Sequence, residues 1–175
     1  MKRQFLITLI LVVLVGCVAP NNDDETKAGV AVPGVQVGQI APDFTVPTLD
    51  NGSFTLSEHA GKPAIIFFMA YWCGTCLPEA RALTQLQQEY GDQLVVIALD
   101  VDPSSSPEAL NQFKMAADNG AYVWAFDTDQ QVAAAYEVQA LDTTLVLDGN
   151  GRILYRDAAP TPYQTLKEAL AEVLP

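Results

Sequence analysis

The sequence predicts an α/β fold, a mixed central sheet flanked by helices. Three observations carry this reading. Residues 64–70, Ala-Ile-Ile-Phe-Phe-Met-Ala, are an unbroken apolar run of seven, and residues 94–99, Leu-Val-Val-Ile-Ala-Leu, are a second run. Such runs, bounded by breakers and rich in β-branched or aromatic side chains, read as strands buried on both faces of a sheet. Between and after them lie segments whose apolar residues recur at three- and four-residue steps, the helical period. Turn sequences at either end, Asp50-Asn51-Gly52-Ser53 and Asp148-Gly149-Asn150-Gly151, add antiparallel hairpins to the parallel core.

Residues 1–16 open with Lys2 and Arg3, followed by an apolar stretch from Phe5 to Val15 broken only by Thr8. At eleven residues it falls short of the ~20 needed to span a bilayer, and it reads as a signal peptide. Its end, Leu14-Val15-Gly16-Cys17, resembles a bacterial lipobox, which implies cleavage before Cys17 and a lipid on that cysteine. The alternative is a plain signal peptide with an incidental cysteine. Residues 17–36 have no apolar period and read as a flexible tether with a mean reach of roughly 20–25 Å. Residues 37–175 are then one folded domain. The chain carries 21 acidic and 9 basic residues, a net charge of −12, which argues against nucleic acid and against direct adhesion to anionic lipid.

Within the domain, residues 44–46 and 54–56 flank the first turn as a hairpin. After the run at 64–70, Ala80, Leu83, Leu86 and Tyr90 mark a helix that Gly91 closes. The strand at 94–99 leads to a helix with Ser106 as N-cap and Pro107 in its first position, running to about Asp118. A third buried strand covers 122–126. Asp127 to Asp129 cap a short helix over 130–136. Strands at 143–147 and 153–156 form the second hairpin, and Thr161-Pro162 starts a terminal helix with Tyr163, Leu166, Leu170 and Val173 on one face.

Cys73 and Cys76 stand where the central strand hands over to a helix. The free N–H groups and dipole of a helix N-terminus favour an anion, so a thiolate at Cys73 forms more readily than in water. A structural disulfide across two residues removes little unfolded-state entropy. Half of a zinc site lacks a second half, because only His59 and no further cysteine is available in the domain. A dithiol–disulfide redox pair is the favoured reading, with no metal and no cofactor beyond the disulfide itself expected; metal binding and an inert pair are the alternatives.

Trp72-Cys73-x-x-Cys76 after a buried strand resembles the thioredoxin superfamily. Val37-Gly38-Gln39-Ile40-Ala41-Pro42-Asp43-Phe44 resembles the opening of its TlpA/ResA and peroxiredoxin-like branches. The resemblance implies a thioredoxin fold with an N-terminal β-hairpin and a central α–β insertion. It implies a thiol–disulfide oxidoreductase in which Cys73 is the exposed attacking thiol and Cys76 the buried resolving one. Trp72 would cover the pair or simply pack. Glu79, one helical turn past Cys76, would tune the cysteines or move protons; the alternative is a surface glutamate favoured by the dipole. The implied partners are disulfide-bearing extracytoplasmic proteins, such as apocytochrome c or a copper-site protein. The implied electron donor is a membrane carrier of the CcdA/DsbD type. The implied location is the cell envelope, on the extracytoplasmic face of the membrane, through the lipid on Cys17.

Two positions depart from the family pattern. Thioredoxins carry a buried acid six residues before the first cysteine, where this chain has Phe67. They also place a cis-proline opposite the cysteines, where this chain has Asp142, followed by Thr143. A non-proline cis bond costs ~2.5–4 kcal/mol, so a trans bond and a changed loop are expected. Asp142 then either lies against the cysteines or points into water. His59, in a polar turn, reads as a surface residue without a partner. Two other readings stay open. One is copper handling of the Sco type, with Cu(I) on the cysteines and Asp142 nearby. The other is a thiol peroxidase, which lacks its Thr-x-x-Cys pattern because Ala70 precedes Cys73 at that spacing.

Overall fold

Both long apolar runs become inner strands of a five-stranded sheet. The computed structural model describes residues 33–174; Cys17, the expected signal peptide and most of the expected tether lie outside the described residues. In chain order the elements are a hairpin of β1 (Thr45–Pro47) and β2 (Ser53–Thr55), then β3 (Ala64–Met69), α1 (Cys76–Tyr90), β4 (Val95–Asp100), α2 (Pro107–Ala116), β5 (Val123–Phe126), α3 (Gln131–Ala135), β6 (Thr143–Leu147), β7 (Ile153–Ala158) and α4 (Tyr163–Leu170). This is the predicted succession of strands and helices. The sheet order is β5-β4-β3-β6-β7, with β3, β4 and β5 parallel and β6 and β7 antiparallel to their neighbours.

Every residue of β3 is buried because the sheet is covered on both sides. Ile65, Phe67 and Met69 face a core built with α1, α2 and α4, including Leu83, Leu86, Leu110, Leu166 and Leu170. Ile66 and Phe68 face a second core closed by the β1–β2 hairpin and α3, with Val46, Phe54, Val132 and Tyr136. The alternation of successive side chains across the pleat thus divides one apolar run between two cores.

Local signals act as expected at two helix starts. Ser106 Oγ accepts from Ala109 N at 3.2 Å. The buried Asp127 carboxylate accepts from Val132 N at 3.1 Å and Ala133 N at 2.7 Å. Two expectations need correction. The folded part begins before residue 37: Val35 is buried in the second core and Gly34 N donates to Ile40 O, so residues 33–36 belong to the fold. His59 does have a partner. It ends a 3-10 turn, Leu56–His59, and its ring stacks on Phe54 with centroids 4.6 Å apart. No helix among the described residues is long and apolar enough to cross a membrane.

Candidate active site

The site forms where β3 gives way to α1. After Met69 the chain turns, with Cys73 N donating to Ala70 O at 2.9 Å. Cys76 is the first residue of α1, so Cys73 precedes the helix by three residues. The two are joined as a disulfide, Cα atoms 5.3 Å apart. Cys76 N points at Cys73 Sγ from 3.2 Å. The helix therefore aims a free N–H at the first sulfur, as the thiolate argument requires.

Two sequence expectations change here. Cys73 is not an exposed thiol: it is 5% exposed and Cys76 is 0% exposed. The loop carrying Asp142 closes over the pair, with a carboxylate oxygen within 4.8 Å of both sulfurs. Trp72 is not packed away; it is 60% exposed. Its Nε1 donates to Asp102 Oδ2 at 2.5 Å. The loop after β4 thus holds the indole on the surface beside the disulfide. That loop is itself tied to buried Asp100, whose carboxylate accepts from Asp102 N at 3.1 Å and Ser105 Oγ at 2.5 Å.

Asp142 does not point into water. It is 3% exposed, in a left-handed backbone conformation with φ 60°, and the described residues contain no cis peptide bond. Aspartate tolerates this conformation better than most side chains. Its Oδ2 accepts from Thr75 Oγ1 at 2.9 Å, and that hydroxyl lies 3.3 Å from Cys73 Sγ. Its Oδ1 is buried without a hydrogen-bond partner. Burial raises its pKa above the ordinary value, against the Thr75 bond and with the negative Asp157 adding to the rise. Thr143 spends its hydroxyl inside the loop, on Ala140 O at 2.8 Å.

Glu79 is no surface residue either: it is 2% exposed. Its Oε1 accepts from Thr144 Oγ1 at 2.5 Å and its Oε2 from Thr161 N at 2.8 Å. Thr144 is the direct cross-strand partner of Phe67. A buried acid therefore does face the position that Phe67 vacates, but α1 supplies it instead of β3. Burial pushes the Glu79 pKa from 4.5 up to about 8; the two hydrogen bonds oppose the rise, and the charges of Asp157 and Asp142 add to it.

Sequence reasoning placed Thr75 between the cysteines without its partners, and it missed Thr144, Thr161, Asp100 and Asp102. Asp100 had one signal, a carboxylate ending an otherwise apolar strand. The threonines had none, since their partners come from 65 to 82 residues away. Neither the cleft of about 580 Å³ beside β5 nor that of about 310 Å³ beside α3 includes a cysteine.

The model of the AhpC/TSA family matches residues 37–156. The thioredoxin-like protein YneN of Bacillus subtilis is 33% identical over 87% of this chain and 88% of its own. The thiol–disulfide oxidoreductase ResA of Geobacillus kaustophilus is 32% identical over 84% of this chain and 80% of its own. Among solved structures, a candidate thiol:disulfide interchange protein DsbE from Chlorobium tepidum superposes with a TM-score of 0.71 at 25% identity, covering 79% of this chain and 98% of that one.

The Glu79 shift has a consequence for stability. Its folded pKa is raised, so its contribution to stability is whole below pH 4.5 and is lost as pH climbs through about 8. Across that window the loss is at most about 1.4 kcal/mol per pH unit. Glu79→Gln, which can donate to Thr144 and accept from Thr161, should remove this slope in urea unfolding followed against pH. Parallel curves for the two proteins would contradict the assignment.

Proposed function

We propose that this chain, which belongs to the AhpC/TSA family and to the ResA-like branch of the thioredoxin superfamily, reduces disulfides of extracytoplasmic partner proteins from a membrane-anchored position. The observation that carries the reading is the Cys73–Cys76 disulfide at the N-terminus of α1, with Cys76 N aimed at Cys73 Sγ. In the reduced protein Cys73 thiolate attacks one sulfur of the partner disulfide, and the partner's other sulfur leaves as a thiolate. Cys76, deprotonated, then attacks Cys73 Sγ, restores the enzyme disulfide and expels the partner's second thiolate. The partner gains two electrons and the enzyme loses two.

Glu79, one turn from Cys76 and with a pKa near neutrality, is suited to take the Cys76 proton. Trp72, exposed beside the pair, offers an apolar face to the docking partner. The electrons come from a membrane donor of the CcdA/DsbD type, and apocytochrome c or a copper-site protein receives them. The lipobox at Cys17 supports the anchor, and the names of the ResA relatives support the reaction.

Cys73→Ser should abolish reduction of a partner disulfide and form no mixed disulfide. Cys76→Ser should keep the nucleophile and trap the mixed disulfide, visible on non-reducing gels. Equal trapping by both variants would contradict the division of roles. Cys17→Ser should move the protein from the membrane fraction to the soluble one, with reductase activity of the purified protein unchanged. Retention on the membrane would sink the lipid anchor.

A further inference from the structure

We infer that reduction converts Cys73, Cys76 and Asp142 into a binding site for a thiophilic divalent cation, of which zinc is the model. One donor atom from each of the three residues lies within 4.8 Å of the others, and all three residues are buried. Asp142 Oδ1 is buried with no partner, an acceptor in want of a positive charge or a donor. Tetrahedral zinc with ordinary bonds of about 2.3 Å to sulfur and 2.0–2.2 Å to oxygen separates such ligands by about 3.5–3.8 Å. The donor atoms lie within 4.8 Å of one another, so the site forms when the sulfurs part and the Asp142 carboxylate closes in by up to about 1 Å.

The donor set also selects the ion. Two thiolates exclude magnesium and calcium, which take oxygen ligands, and a carboxylate as the third ligand favours zinc over Cu(I). Three protein ligands leave the fourth position open, as in zinc sites that accept water or a substrate atom. Asp142 reaches the pair because its backbone takes the left-handed conformation immediately before β6; a proline there would bring no ligand. In the disulfide form the sulfurs are bonded to each other and the site does not exist. An external reductant supplies two electrons and two protons to open the disulfide. Zinc then displaces two thiol protons and forms two Zn–S bonds without itself changing oxidation state.

Such a site makes the metal a regulator of the reaction proposed above, because bound zinc holds Cys73 as a ligand and withdraws it as a nucleophile. That consequence rests on the reductase reading, whereas the binding itself does not. The test uses the full chain with Cys17→Ser, so that only two thiols are present, titrated anaerobically with zinc against a competing chelator. The reduced protein should take up one zinc per chain and the oxidised protein none. Asp142→Asn should weaken binding at least about tenfold, because removing a ligand costs no less than removing a group that merely supports one. Glu58→Gln, at an exposed acid, should leave binding unchanged. Zinc-edge X-ray absorption of the loaded chain with Asp142 intact should show two sulfurs with oxygen completing the shell, a result that needs no Asp142 variant to fold. Zinc uptake independent of reduction, equal affinity in Asp142→Asn, or a shell of four sulfurs would overturn the proposal. A chain that reduces disulfides yet binds no zinc overturns this inference alone; one that binds zinc but reduces nothing keeps the site and overturns the reductase.

Discussion

The antiparallel register of β3 on β6 is the constraint on which the site depends. Phe68 pairs with Thr143 and Phe67 with Thr144. The first pairing delivers Asp142, the next residue out, to the end of β3 where the cysteines turn. The second sets Thr144 on the same face as Phe67, where it holds Glu79. A slip of one residue would exchange the two faces of β6 and lose both arrangements. The register is guarded by burial: β3 has no exposed residue, and burying each large apolar side chain contributes roughly 1.5–3 kcal/mol. The chemistry of the surface is thus specified by packing in the interior.

Around the disulfide, two influences oppose each other. The N-terminus of α1 turns a backbone N–H toward Cys73 and favours its thiolate. Asp142 holds a buried carboxyl group within 4.8 Å of the same pair, and negative charge there disfavours thiolates. A couple becomes a strong oxidant when its reduced form is stabilised. On the reductase proposed above, Asp142 works against that stabilisation, which favours a reducing couple. On the proposed mechanism the same burial, which raises the Glu79 pKa to about 8, suits it to accept and return a proton. Thr75 links the influences, its hydroxyl lying between Asp142 Oδ2 and Cys73 Sγ.

Most of the architecture was legible in the sequence because its signals are local. The run Ala-Ile-Ile-Phe-Phe-Met, the Ser106-Pro107 helix start and the Asp148-Gly149-Asn150-Gly151 turn each declare an element without reference to the rest of the chain. Burial of the site was not legible. Glu79 in a first helical turn looks like a surface acid, and only the approach of Thr144 and Thr161 encloses it. Asp142 could be placed opposite the cysteines by its match to the family's proline position. Its direction depended on a backbone φ that sequence does not specify. Covering the pair and packing were equally open for Trp72, because the Asp102 that holds it at the surface comes from a loop 30 residues away.

The reduction potential of the Cys73–Cys76 couple, measured with a chelator present so that no metal biases the reduced form, tests the central claim most directly. A carboxylate opposing the thiolates predicts a reducing couple, at or below the roughly −270 mV of thioredoxin. A value near about −120 mV, the range of a strong oxidant, would contradict both the electrostatic account and the proposed direction of electron flow.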